Sequence, residues 1–328
     1  MSGEFGTPLR RFALHRLSGG PGLGLPADFA IKWTSKNLAD KSAMVHTIFT
    51  STSYQINPLG DGIAAEVIGL DLRQAFDDET FGVVHQAFLD NRILAFRDQD
   101  LTKEEQVAFT EQFGALERHT VRNRGSADSP FVHIVSNLDA NIRPTGQVDS
   151  MLWHSDKSFR PEPSMATVLH AKVLPPKGGD TVFADMAGAY DVLSDGEKVE
   201  IDGLRVVHSW ELSRLNEGRM LTDEEVADAP PNAHPLVRVH PDTGRHSLFI
   251  GMHASHLEGV EFEEGRARIL ALEAHATQDE FIYRHVWRLG DVLLWDNRCL
   301  LHRADDNFDA NRYPRVLHRT CLRGTPTS

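Results

Sequence analysis

The chain has 328 residues, 41% of them hydrophobic, enough to bury the core of one large or two medium domains. A formal net charge of −13 with histidine neutral argues against nucleic-acid and anionic-membrane partners, which need basic surface, and still allows a small basic pocket. The two cysteines, Cys299 and Cys321, make no disulfide framework and point to a reducing, cytoplasmic setting; no apolar run approaches the ~18 residues of a membrane span.

Residues 1–43 stand apart. Their Gly- and Pro-rich "LSGGPGLGLP" has no periodicity, and Arg10, Arg11 and Arg16 make the segment basic. It reads as a disordered leader or extension, whether an added segment, translation from upstream of a natural start at Met44, or a transit peptide. Residues 44–328 are expected to form one domain. In chain order, 63–72 reads as a strand, 77–91 as a helix through Phe81, Val84, Phe88 and Leu89, and 92–96 as a buried strand. Residues 101–116 read as a helix opened by the capping-box pair Thr102 and Glu105. A helix is expected over 187–201, strands over 203–210, 235–240 and 246–250, a helix over 265–278, and strands over 281–297 and 315–322. Many short strands with peripheral helices imply a mainly β chain with a double-stranded β-helix, or jelly-roll, core.

One short motif carries chemistry. "LWHSDKSF" (152–159) places His154 and Asp156 two residues apart, and in a strand both would face the same side. "GDVLLWDNRCLLHRADD" (290–306) adds His302, on a segment that resumes after a strand ending at Trp295–Asp296. Two imidazoles and one carboxylate form the facial triad of non-haem iron(II) oxygenases, which leaves metal positions open. The same spacing recurs in His240-Pro-Asp242, where the proline and Thr243-Gly244 read as a turn. Packed core histidines would explain an isolated pair equally well.

Longer stretches decide the matter. "LWHSDKSF", "GGDTVFADMAGAYDVL", "LFIGMHASHLEG", "EAHATQDEF", "YRHVWRLGDVLLWDNRCLLHR" and the closing Arg-rich strand resemble the taurine/2,4-dichlorophenoxyacetate dioxygenase family of iron(II)- and 2-oxoglutarate-dependent enzymes. The resemblance covers roughly residues 55–322 and is greatest to the phenoxyacetate-degrading branch. It implies iron(II) on His154, Asp156 and His302, with 2-oxoglutarate as cosubstrate and O2 as oxidant. It matches Arg315 to the guanidinium that pairs with the distal carboxylate of 2-oxoglutarate, and Thr181 to a hydroxyl that assists it. Arg319 matches a second arginine that meets an anionic substrate or the cosubstrate. The loop between His302 and Arg315 is longer than in the family, which makes Arg312 a competitor for the cosubstrate. On the substrate side the resemblance points to His119, Ser150 and His208. Lys157 stands where relatives carry a small residue, Trp153 and Trp295 are expected to wall the site, and His253 and His256 are read as structural, on a helix or turn. The reaction implied is hydroxylation of a small anionic substrate, an aryloxyalkanoate cleaved at its ether to a phenol and an oxo acid, with succinate and CO2 released. Sulfonate or alkyl sulfate oxidation is the alternative within the family, and a zinc-dependent hydrolase the alternative outside it. By analogy with relatives, a homo-oligomer, dimer or tetramer, is expected.

Overall fold

The computed structural model describes residues 49–50, 54–60, 62–118, 125–126 and 129–328; the leader expected over 1–43 and the substrate candidate His119 lie outside them. Nine strands form the larger sheet, in the order Phe49–Thr50, Gln55–Leu59, Ala64–Ile68, Ile93–Phe96, Val292–Asp296, Ala166–Val173, Val316–Cys321, Ser129–Ser136 and Gly125–Ser126. Among the described residues its one parallel pairing joins Ala64–Ile68 to Ile93–Phe96. A smaller sheet sets Thr181–Asp185 between Ile282–His285 and Leu300–Ala304.

Strand alternation distributes side chains between layers. On the larger sheet, Leu293, Trp295, Leu169, Ala171 and Leu317 face inward and pack with Phe183 and Leu300 of the smaller sheet. Their neighbours Val292, Leu294, Val168 and Phe96 face outward, against Val84, Phe88 and Phe109 of the helices Asp78–Asn91 and Lys103–Glu111. The outer face of the smaller sheet, through Ala184 and Leu301, is covered by Ile269 and Leu272 of the helix Phe262–Ala276. Strands buried on both faces read as unbroken apolar runs, which is why "RILAF" and "DVLLW" lack alternation in the sequence. The result is the jelly roll the strand pattern implied, with helices on its outside. No helix among the described residues is long and apolar enough to cross a membrane.

Several elements differ from expectation. The helix expected over 187–201 is two, Met186–Asp191 and Asp195–Ile201. Ser194 restarts the chain: its hydroxyl accepts the Glu197 N–H and its own N–H donates to the Glu197 carboxylate, a capping box inside the helical pattern. The strand expected over 281–297 splits into Ile282–His285 and Val292–Asp296, one in each sheet. The corner is held by Asp291, whose carboxylate accepts from Arg97 (2.7 Å), the Arg288 N–H (2.8 Å) and His285 (3.2 Å). His256 lies on a strand, Ala254–Leu257, rather than on a helix.

Candidate active site

The two histidines are joined through their main chains. The His154 N–H donates to the His302 carbonyl (3.0 Å), and the His302 N–H donates back to the His154 carbonyl (2.8 Å). This is an isolated bridge and not a regular strand; Asp156 enters from the turn that follows. One ring nitrogen of His154, one of His302 and one carboxylate oxygen of Asp156 lie within 4.8 Å of one another, all buried. His154 Nδ1 sits 2.8 Å from the Leu152 carbonyl, which can only accept, so Nδ1 carries the proton and Nε2 keeps its lone pair. That Nε2 lies 4.0 Å from Asp156 Oδ1, and His302 Nε2 lies 3.9 Å from Oδ2.

Charge reinforces the geometry. Burial lowers the proton affinity of His154 and takes His302 well below the ordinary imidazole value, so both are neutral donors. Burial pushes the Asp156 carboxyl up, but the Arg319 guanidinium and the two imidazoles outweigh it and hold it well below the usual carboxylate range. Arg319 Nη1 lies 3.2 Å from Asp156 Oδ1, and the Thr167 hydroxyl donates to Oδ2 (2.6 Å). Thr167 in turn accepts from Asn297 Nδ2 (2.9 Å), whose Oδ1 accepts from Trp295 Nε1 (3.0 Å). Two neutral imidazoles and an oriented carboxylate suit a divalent metal, iron(II) included. A second buried group, His240, Asp296 and Cys299, is equally close-set. There Arg298 grips both Asp296 oxygens (2.8 and 2.6 Å) and burial pushes the Cys299 thiol well up, so it is an ion pair and not a ligand set. His240 Nδ1 accepts the Asp242 and Thr243 N–H groups (3.2 Å each), the turn its sequence implied.

Arg315 is 6% exposed and makes no ion pair among the described residues. Its Nε donates to the Gly179 carbonyl (2.8 Å), and its Nη2 stands 3.5 Å from Thr181 Oγ1, which already accepts from Trp287 Nε1 (3.0 Å). Burial brings the guanidinium down to about 10, still charged at neutral pH. A buried guanidinium beside a hydroxyl suits a carboxylate. Gly179 permits the approach: a Cβ there would stand 3.1 Å from Arg315 Cδ. Arg312, its competitor in sequence, is exposed, with its guanidinium 5.1 Å from the Tyr313 ring centre.

A cavity of about 870 Å³ opens beside Arg319. Phe159 gives it an aromatic face, and Arg118, Lys157, Arg160, Arg319 and Arg323 line it against only Glu117 and Glu162. On a chain of net charge −13, that concentration of cations is local and marks a site for an anion. Lys157 points into the cavity, paired with Glu117. The structure does not bring His208 to this cavity. Its Nδ1 meets Ser158 Oγ (2.9 Å), its Nε2 the Phe249 carbonyl (3.2 Å), and burial takes it down to about 3, a neutral core histidine. Ser150 is half-buried beside the ligand strand, its carbonyl accepting the Ala304 N–H (2.8 Å). Trp295 packs on His302 with ring centres 4.7 Å apart, and Trp153 lies under the Arg303 guanidinium (5.1 Å). Sequence reasoning assigned no role to Thr167 or Asn297 and set His253 apart as structural; the His253 ring lies 6.5 Å from that of His154 and 5.0 Å from that of Phe159. Only the position of Asn297 inside "WDNRC" offered a signal.

Comparison with known proteins agrees with this chemistry. A family model described as taurine catabolism dioxygenase TauD, TfdA family, matches residues 55–321. An alpha-ketoglutarate-dependent 2,4-dichlorophenoxyacetate dioxygenase of Cupriavidus pinatubonensis is 40% identical over 285 residues, spanning 82% of this chain and 96% of its own length. An (S)-phenoxypropionate/alpha-ketoglutarate-dioxygenase of Sphingobium herbicidovorans is 35% identical over 295 residues, 85% of this chain and 98% of its own. Among solved structures, AAD-2 in complex with Mn(II) and N-oxalylglycine superposes with a TM-score of 0.75 at 38% identity, covering 86% of this chain and 99% of that one.

Proposed function

We propose, on the premise that the chain belongs to the taurine catabolism dioxygenase TauD, TfdA family, that it is an iron(II)- and 2-oxoglutarate-dependent dioxygenase of small organic anions, with aryloxyalkanoates as its substrate class. The observation that carries this reading is the buried His154–Asp156–His302 cluster; a buried arginine beside Thr181 and a cation-lined cavity with an aromatic wall support it. A zinc-dependent hydrolase would have no use for the Arg315 and Thr181 pair.

Iron(II) with 2-oxoglutarate and dioxygen supplies the oxidation, in which the cosubstrate is decarboxylated to succinate and one oxygen atom enters a substrate C–H bond. The chain does the rest. His154, Asp156 and His302 would hold the metal, and Thr167 and Arg319 keep the carboxylate ionised and oriented. Arg315 takes the distal carboxylate of the cosubstrate, with the Thr181 hydroxyl donating beside it. Arg319 and Lys157 draw the substrate anion to the inner end of the cavity, and Phe159 stacks on its ring. Hydroxylation next to an ether oxygen gives a hemiacetal, which collapses to a phenol and an oxo acid. In the test, wild-type protein with iron(II) is offered aryloxyalkanoates, sulfonates and alkyl sulfates, and succinate is counted against substrate consumed. Stoichiometric succinate with aryloxyalkanoates supports the reading; turnover confined to sulfur-containing anions overturns the substrate class. His154→Ala is expected to lose bound iron and succinate formation together, and retention of both would overturn the metal assignment.

A further inference from the structure

Arg315 follows a loop, residues 305–314, and something must fix where that loop delivers the guanidinium. Asn137, just past the strand Ser129–Ser136 and 6% exposed, meets the loop with its whole amide group. Its Nδ2 donates to the Ala310 carbonyl (3.0 Å) and to the Tyr313 carbonyl (3.0 Å), and its Oδ1 accepts the Arg315 N–H (2.8 Å). Its main-chain N–H reaches the Arg315 carbonyl (3.4 Å), and its own carbonyl accepts from the N–H (2.9 Å) and hydroxyl (3.0 Å) of Thr145. Both amide hydrogens and the acceptor are thus spent on one loop, ending at the residue whose side chain forms the carboxylate fork. Asn307 holds the opposite side: its Oδ1 accepts the Gly179 N–H (2.7 Å), and Gly179 supplies the carbonyl that receives Arg315 Nε (2.8 Å).

We propose that Asn137 is a positioning residue for 2-oxoglutarate, setting the height of the Arg315 guanidinium beside Thr181 without touching the cosubstrate itself. The inference rests on Arg315 being the receptor for the distal carboxylate. A buried amide with three partners of fixed direction locks a main chain more tightly than packing does, and a guanidinium at the end of three methylenes magnifies any shift at its root.

Asn137→Ala and Asn137→Asp test it. The aspartate keeps an acceptor for the Arg315 N–H but sets a carboxylate against two carbonyls. Two quantities are read: the KM for 2-oxoglutarate with kcat, and the Kd of N-oxalylglycine for the Mn(II)-loaded protein by calorimetry. Both variants are expected to raise KM and Kd roughly 10-fold, in the range for residues that orient a ligating group, with kcat and Mn(II) affinity within about twofold of wild type. In an Arg315→Ala background, adding Asn137→Ala should change neither quantity further, because the effect passes through Arg315. Should Asn137→Ala not fold, Asn137→Ser, which retains a hydroxyl acceptor, carries the test. Lowered thermal stability with unchanged KM and Kd would overturn the positioning role. Unchanged values in Arg315→Ala itself would overturn the cosubstrate assignment beneath it.

Discussion

The Thr167 hydroxyl donates to Asp156 Oδ2 and accepts from Asn297, so it sets the plane of the one anionic ligand together with Arg319 on Oδ1. Replacing it with valine keeps shape and volume, removes the donor, and leaves an Asn297 N–H unpaired. Thr167→Val is expected to fold and to bind iron(II) roughly 10-fold more weakly, in line with other residues that orient metal ligands. Competition with a fluorescent chelator measures it; unchanged affinity would mean that Arg319 alone orients the carboxylate. Arg315→Ala removes a buried charge-assisted contact, and its KM for 2-oxoglutarate is expected to rise roughly 30-fold or more with iron still bound.

Among the elements, the turn Ile250–His253 links the outer layer to the ligand segment. Met252 N–H donates to the Trp153 carbonyl (2.7 Å), and Gly251 adopts φ +118, a conformation L side chains resist. A Cβ at Gly251 would stand 3.0 Å from the Trp153 oxygen and 3.5 Å from His154 Cα. Gly251→Ala therefore presses on the main chain that carries the first ligand. It is expected to cost about 1–3 kcal/mol in urea unfolding and to weaken iron binding as well. A loss of stability with iron affinity intact would show that the bridge between His154 and His302 absorbs the strain.

Across the whole molecule, buried histidines set the acid limit of stability. Burial takes His208 to about 3 and His170 and His234 to about 4, with Lys172 adding to the effect at His170 and Arg238 at His234. Each is neutral when folded and protonates near 6.5 once unfolded. Between about pH 6 and 4 the unfolded chain therefore binds more protons, and stability falls with pH by about 1.4 kcal/mol per unit for each histidine. The urea midpoint is expected to be flat above pH 7 and to drop steeply by pH 5; a flat profile down to pH 5 would show that these rings protonate inside the fold. The same residues mark how far sequence could be read. His154, Asp156 and His302 stood out through the long stretches around them that resemble a family, since the spacing of His154 and Asp156 alone recurs at His240 and Asp242. The strand and helix series was legible because burial imposes periodicity. What stayed hidden depends on contacts across the fold: Asn137 and Arg315 are 178 positions apart, and Asn297 and Thr167 130. His208 misled for the opposite reason, since depth in a core leaves no mark on one residue's identity. The break at Ser194 was present as a start signal, inside a periodic pattern that ran straight through it.

The paired main-chain bonds between His154 and His302 tie the two imidazole-bearing segments together through the backbone, with no side chain involved. The protein can accordingly be assembled first and metallated afterwards, as a vessel is built before it is filled. Stripping the ion with a chelator is therefore expected to leave circular dichroism unchanged, and adding iron(II) back to restore binding with no refolding step.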